Sequence, residues 1–102
     1  MEIRNFDDSI EEFIESLEES TIAKALHTID LLEEFGSQLG MPHSKKVVQR
    51  LFELRVRGEQ EIRILYVFHK SSIVLLHGFM KKSQKIPKKE IKIALQRLKA
   101  LD

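Results

Sequence analysis

Arg55, Arg63, His77, Lys81 and Lys82 are the side chains whose types and spacing can do chemistry, and they fall in one stretch together with Tyr66. Arginine holds phosphate oxygens in a planar fork and lysine adds a point charge. Together they can grip an RNA backbone and stabilise a phosphorane-like transition state. A lysine or tyrosine ordinarily titrates near about 10 and must be lowered by surrounding positive charge to act as base or acid, whereas histidine needs no such help. The competing reading is ordinary charge along strand edges.

These residues must be positioned by the stretch Leu51–Lys85, LFELRVRGEQEIRILYVFHKSSIVLLHGFMKKSQK. It holds three β-type runs separated by polar punctuation. In the first, Phe52, Leu54 and Val56 alternate with Leu51, Glu53, Arg55 and Arg57, which predicts one buried side. After the turn at Gly58, Ile62, Ile64, Tyr66 and Phe68 alternate with Arg63, Leu65, Val67 and His69, so both faces are apolar and the strand is expected to be central. A turn at Lys70–Ser72 leads into the third run, Ile73 to Met80, where His77 and Phe79 share a parity. Short turns favour an antiparallel meander, since parallel pairing needs longer crossovers. On a regular strand Arg63 and Tyr66 face opposite ways; a shared site would require a bulge, strong twist or a strand end.

Upstream, Glu2–Phe6 reads as a short edge strand. Ser9 and Glu12 form an S-x-x-E capping box that starts a helix with Ile10, Phe13, Ile14 and Leu17 on its apolar stripe. Ser20 or Thr21 can cap a second helix, with the stripe Ile22, Ala25, Leu26, Ile29 and Leu32 and a C-cap at Gly36; the two helices are expected to form a hairpin. Gly36–Lys46 reads as a loop. Downstream, Pro87 suits the first turn of a helix running to Ala100, with Ile91, Ala94, Leu95 and Leu98 inward and Lys88, Lys89, Lys92, Arg97 and Lys99 outward. The expected fold is therefore α+β: an N-terminal edge strand, a helical hairpin, a three-stranded antiparallel meander and a C-terminal helix, in one domain spanning residues 1–102.

Composition narrows the chemistry. The chain has no cysteine and no tryptophan, which excludes disulfide scaffolds, cysteine-rich zinc sites and thiol catalysis. No apolar run is long enough for a membrane span and the acidic N-terminus does not resemble a signal peptide, so a cytoplasmic protein is expected. Phosphate-binding glycine loops, H-E-x-x-H and G-x-S-x-G are all absent, and His27, His43, His69 and His77 lack metal-ligand spacing. No cofactor or metal is expected. A net charge of +1 conceals an asymmetry: residues 1–40 carry 2 basic and 11 acidic side chains, residues 41–102 carry 15 and 5. The basic part is expected to face a polyanion.

The runs LFELR, RILYVF, LLHGFMKKSQKIPKKEI and ALQRL closely resemble the RelE/ParE superfamily of type II toxin–antitoxin toxins, in its HigB-like, phage-derived branch. The resemblance extends over nearly the whole chain. It implies a microbial-RNase type sheet and a toxin that cuts mRNA, often at the ribosomal A site, without a metal; a ParE-like inhibitor of DNA gyrase is the alternative. By resemblance the catalytic set is Arg55, Arg63, His77 and Lys81. Tyr66, Phe79, Lys82 and Lys85 fall on RNA-binding positions, the two aromatics being able either to stack a base or to pack in the core. The implied partners are a cognate helix-turn-helix antitoxin, mRNA and the ribosome, with operator DNA reached only through the antitoxin complex and no membrane involved.

Overall fold

A computed structural model describes residues 1–102. Its elements are β1 (Glu2–Asn5), α1 (Asp8–Glu15), α2 (Glu19–Phe35), β2 (Ser44–Val48), β3 (Leu51–Arg57), β4 (Glu61–His69), β5 (Ser72–Met80) and α3 (Lys88–Leu101). The five strands form one mixed sheet in the order β1-β5-β4-β3-β2. Strands β2 to β5 pair antiparallel and β1 lies parallel to β5. The fold is α+β, as expected, with β4 at the centre.

The sheet separates two cores. On one face, Ile10, Ile14 and Leu17 from the first helical segment and Ala25 and Leu32 from α2 pack on Leu54, Ile64 and Tyr66. On the other, Ala94 and Leu98 of α3 pack on Leu51, Leu65, Val67, Val74 and Leu76. This second layer explains why β3 departs from its expected pattern: Leu51 is buried as fully as Leu54 and Val56 because it packs with Ala94 and Leu98 of α3, and Glu53 is buried against Arg55 and Arg63.

Several local expectations are corrected. Ser44–Val48 lies partly in the expected loop, yet it is a fifth strand along the sheet edge. Its SKKVV sequence puts lysines where an exposed edge resists pairing with other chains, which makes it read as polar. The first helix is capped by Asp7, not Ser9; the Asp7 carboxylate accepts from the Ser9 backbone N–H and hydroxyl. The bond from that hydroxyl, more than any other cause, holds the Asp7 carboxyl below its ordinary range. Neither Ser20 nor Thr21 caps α2, which has Glu18 at its N-cap. Its buried line is Thr21, Ala25, Thr28 and Leu32, which leaves Leu26 half exposed. Small side chains on that line let α2 lie close to β3. Pro87 is the N-cap of α3, one position outside the helix. No helix is long and apolar enough to cross a membrane.

At Gly78 in β5 the Phe13 ring of α1 lies close against the sheet backbone. A Cβ there would come within 2.5 Å of Phe13 Cδ2 and 2.8 Å of Cε2. Gly78→Ala is expected to cost about 1–3 kcal/mol, the range for overpacking a core, and to lower the midpoint of urea unfolding without changing its slope. An unchanged midpoint would show that Phe13 moves freely.

Candidate functional site

The register of the sheet arranges the chemistry-bearing residues in rows. Lys45 pairs with Glu53, Glu53 with Leu65, and Leu65 with His77; in the next row Arg55 pairs with Arg63, and Arg63 with Phe79. Leu65 and Phe79 belong to the core beneath α3, so both rows present their side chains to that face. Lys81 follows the end of β5 with its backbone N–H donated to Glu61 O at 2.8 Å.

A β-bulge creates this arrangement. Tyr66 pairs with Leu75 while Leu65 pairs with His77, so Leu76 is an extra residue in β5. Simple alternation would send Ile73, Leu75, His77 and Phe79 to one face. Instead Ile73 and Leu75 pack under the hairpin, and after the bulge His77 and Phe79 emerge on the α3 side. The carbonyl of Leu76 accepts from Arg97 Nη1 at 2.6 Å, and the same nitrogen reaches Ser9 Oγ at 3.2 Å. The guanidinium also sits 5.4 Å from the Phe6 ring centroid. Arg97, expected on the outward basic face of α3, is therefore turned inward onto the bulge.

Tyr66 lies apart from the set. Its ring is 1% exposed, stacks on Phe52 at 5.6 Å and hydrogen-bonds through its hydroxyl to Ser44 on the hairpin face. Burial raises its pKa, with the Ser44 bond working in the opposite direction. No bulge or twist in β4 brings it round to Arg63. The regular parity holds, and of the two roles open to Tyr66 the structure shows core packing.

Arg63 is buried, its side chain 3% exposed. Nη1 donates to Glu61 Oε2 at 3.1 Å and to Ile62 O at 3.0 Å, and Nε lies 3.8 Å from Glu53 Oε2. Arg55 Nε lies 3.7 Å from the other Glu53 oxygen. Neither Nε makes a hydrogen bond. Burial disfavours ionised Glu61, yet the bond from Arg63 and the charges of Arg57 and Arg63 together hold its carboxyl below the ordinary 4.5. A carboxylate lowered in the folded state contributes stability that is present above that ordinary value and lost as pH falls through the folded one. The advantage of wild type over Glu61→Gln in thermal melts is therefore expected to shrink below pH 4.5. It should be modest throughout, because the Glu61 side chain is 37% exposed and solvent screens it. A constant advantage across that range would contradict the ion pair.

His77 Nε2 lies 2.8 Å from Glu90 Oε1, a bond from β5 to the first turn of α3 with both side chains 15% exposed. Phe79 stacks on the imidazole at 5.9 Å, the planes 21° apart. A proton placed on Nε2 by the carboxylate leaves the Nδ1 lone pair as acceptor. A cleft of about 330 Å³ is lined by Lys45, Lys46, Glu53, Lys81, Gln84 and Lys85, and by Ile91, which follows Glu90 in α3; His77 and Glu90 themselves are outside the lining. Lys82 is exposed and outside the lining. The arrangement thus offers an oriented imidazole, four lysines along one groove, and arginines braced by a buried carboxylate. No three His, Asp or Glu side chains converge as a metal site requires.

Sequence reading passes over Glu53, Glu61 and Glu90. Each pairs with one of the basic residues singled out above, and a single available signal points to them: they are three of only five acidic residues in the basic part of the chain.

A five-stranded sheet with a helical hairpin on one face, a single helix on the other and a basic groove at its edge is the α+β arrangement expected of a RelE-like protein. The chain belongs to the family described as "Phage derived protein Gp49-like (DUF891)", whose family model matches residues 12–99. This is a toxin-like family of the RelE/HigB type, and such a family implies an antitoxin partner. No curated protein matches the chain.

Proposed function

We propose that this protein is the toxin of a type II toxin–antitoxin pair and a metal-independent endoribonuclease that cuts mRNA in association with the ribosome. The observation that supports the reading is that the His77–Glu90 pair shares one sheet face with Arg55, Arg63 and the Glu53 that lines the lysine-rich groove. In this mechanism His77 Nδ1 takes the proton of a ribose 2′-OH as its oxygen attacks the adjacent phosphorus. The bond to the 5′-oxygen breaks, and Lys81 supplies a proton to that leaving oxygen. Arg55 and Lys85 hold the phosphate, and Lys82 meets the RNA outside the groove. Phe79 and Glu90 hold the imidazole. Arg63, whose donors are directed at Glu61 and Ile62, acts as a positioning residue that fixes the arginine–glutamate floor. The partner is a helix-turn-helix antitoxin, and operator DNA is bound through their complex.

Expression of the chain with and without its neighbouring gene, followed by mapping of mRNA ends, tests this. New ends that appear only without the neighbour support the reading. Growth arrest with intact mRNA and accumulating gyrase–DNA cleavage complexes would replace it with the ParE-like alternative.

A further inference from the structure

The groove under α3 is not the only basic concavity. Between α2 and β3 lies a cavity of about 440 Å³ whose lining includes Lys24, His27, His43, Arg55 and Arg57 and no carboxylate. In a chain with 16 acidic residues, 11 of them before Gly40, a cavity of this size lined by α2 without one is a departure from its surroundings. Lys24 is held there by a bond from Nζ to Arg57 O at 3.3 Å. Arg57 and Arg55 each lie near a carboxylate outside the lining, Glu61 at 3.5 Å and Glu53 at 3.7 Å, which leaves Lys24 and the two imidazoles to meet a ligand. A concave site with several donors and no acceptor charge selects anions.

The cavity lies on the α2 side of the sheet and the groove on the α3 side, and Arg55 stands between them. Glu53 lines the groove and Arg55 lines the cavity; their side chains meet at 3.7 Å, and the two residues lie roughly 6.8 Å apart along β3. Arg55 Nη1 reaches to 3.4 Å from Met41 Sδ, on the segment that also supplies His43. Pairing with β2 begins only at Ser44–Leu54, so beyond it β3 is the edge of the sheet, and an extended strand passing around that edge at Arg55 would meet both basic surfaces.

We propose that the cavity between α2 and β3 is a second phosphate site, which holds the backbone of single-stranded RNA adjacent to the segment bound under α3. The proposal rests on RNA being the substrate. It makes the acidic hairpin, through the one basic turn of α2, a participant in RNA binding. A ligand short enough to fill only the groove gains nothing from it, whereas a longer one has one or two further phosphates neutralised there.

The test uses all-2′-deoxy oligonucleotides, which lack the attacking hydroxyl, in lengths of about 4 and about 12 nucleotides, with binding followed by fluorescence anisotropy. Lys24 and His27 are exposed on α2, so the double variant Lys24→Gln/His27→Gln is expected to keep the wild-type melting curve. Its affinity for the longer probe should fall about 10-fold, and the salt dependence of log K should flatten by about 0.7 for each phosphate that is no longer neutralised. The short probe should bind as before, and Lys24→Arg should retain the long-probe affinity. Unchanged binding of the long probe, or an equal loss at both lengths, would overturn the second site and leave the nuclease reading standing. Wild-type protein that binds neither probe would also overturn the second site, while the nuclease reading stands or falls separately on the mapping of mRNA ends.

Discussion

Replacing His77 by alanine is expected to slow RNA cleavage by about 10²- to 10⁴-fold, the usual contribution of a positioned general base, equivalent to about 2.7–5.5 kcal/mol of barrier. The fold should persist. His77 is partly exposed on β5, and its side chain contributes one stacked contact with Phe79 of the core beneath α3 and one bond to Glu90, so the loss is confined to the margin of that core. Glu90→Gln sharpens the test, because the amide can still bond to the imidazole but carries no charge to favour the imidazolium formed when the 2′-OH proton is taken up. Its loss should lie in kcat with KM little changed, since Glu90 acts on the ring and not on the substrate. The measurement is single-turnover cleavage of a labelled mRNA bound to ribosomes, with circular dichroism of the protein alone as the check on folding. A His77→Ala enzyme within about threefold of wild type would move the base elsewhere, with Lys81 at the groove the next candidate.

Much of the scaffold was legible in the sequence because its elements obey simple periodicities. The stripe from Ile10 to Leu17, the two-sided apolar pattern of β4 and the stripe of α3 all face the cores, although Phe13, Phe68, Ile91 and Leu95 are only partly buried. Where reading failed, a tertiary contact had overridden a local rule. The lysines of β2 look like a loop because an edge strand has no need of an apolar outer face. Asp7 displaces Ser9 as the cap, which frees the Ser9 hydroxyl to receive Arg97. The candidate site was legible as a set of residue types and not as an arrangement. His77 and Phe79 reach Arg63's face only through the extra residue Leu76, and alternation along β5 carries no mark of that bulge. What stabilises the bulge is a guanidinium 21 residues further on, Arg97, outwardly one more cation on a basic helix. Likewise the partner of His77 comes from α3 and the partner of Arg63 from β3, pairings that exist only once the layers have closed.

The buried charges beneath the groove give the second large effect, in stability. Glu53 is 6% exposed and faces both Arg55 and Arg63, the latter with a side chain 3% exposed. Glu53→Leu fills the same space but leaves Arg63 with the partly exposed Glu61 as its one carboxylate, and leaves Arg55 with none. Breaking a buried pair by removing one member costs about 3–5 kcal/mol, because the remaining charge stays out of water without compensation. In a domain of this size that is a fall in Tm of at least about 12 °C. The reverse substitution is not symmetrical. Arg63→Met removes the most costly charge and supplies apolar volume, while Glu53 keeps Arg55 and Glu61 keeps Arg57, so stability should be unchanged or higher. Adding Arg63→Met to Glu53→Leu should then recover most of the loss, a coupling that a double-mutant cycle in urea measures directly. A Glu53→Leu protein as stable as wild type would mean that water already satisfies the two Nε atoms and that the floor is not under electrostatic constraint. The Arg63→Met protein also separates the two roles for that arginine. Cleavage abolished with KM little changed would make it a transition-state ligand that leaves Glu61 during the reaction; a parallel, moderate loss for every groove variant would keep it as the brace that aligns Arg55 and Glu53.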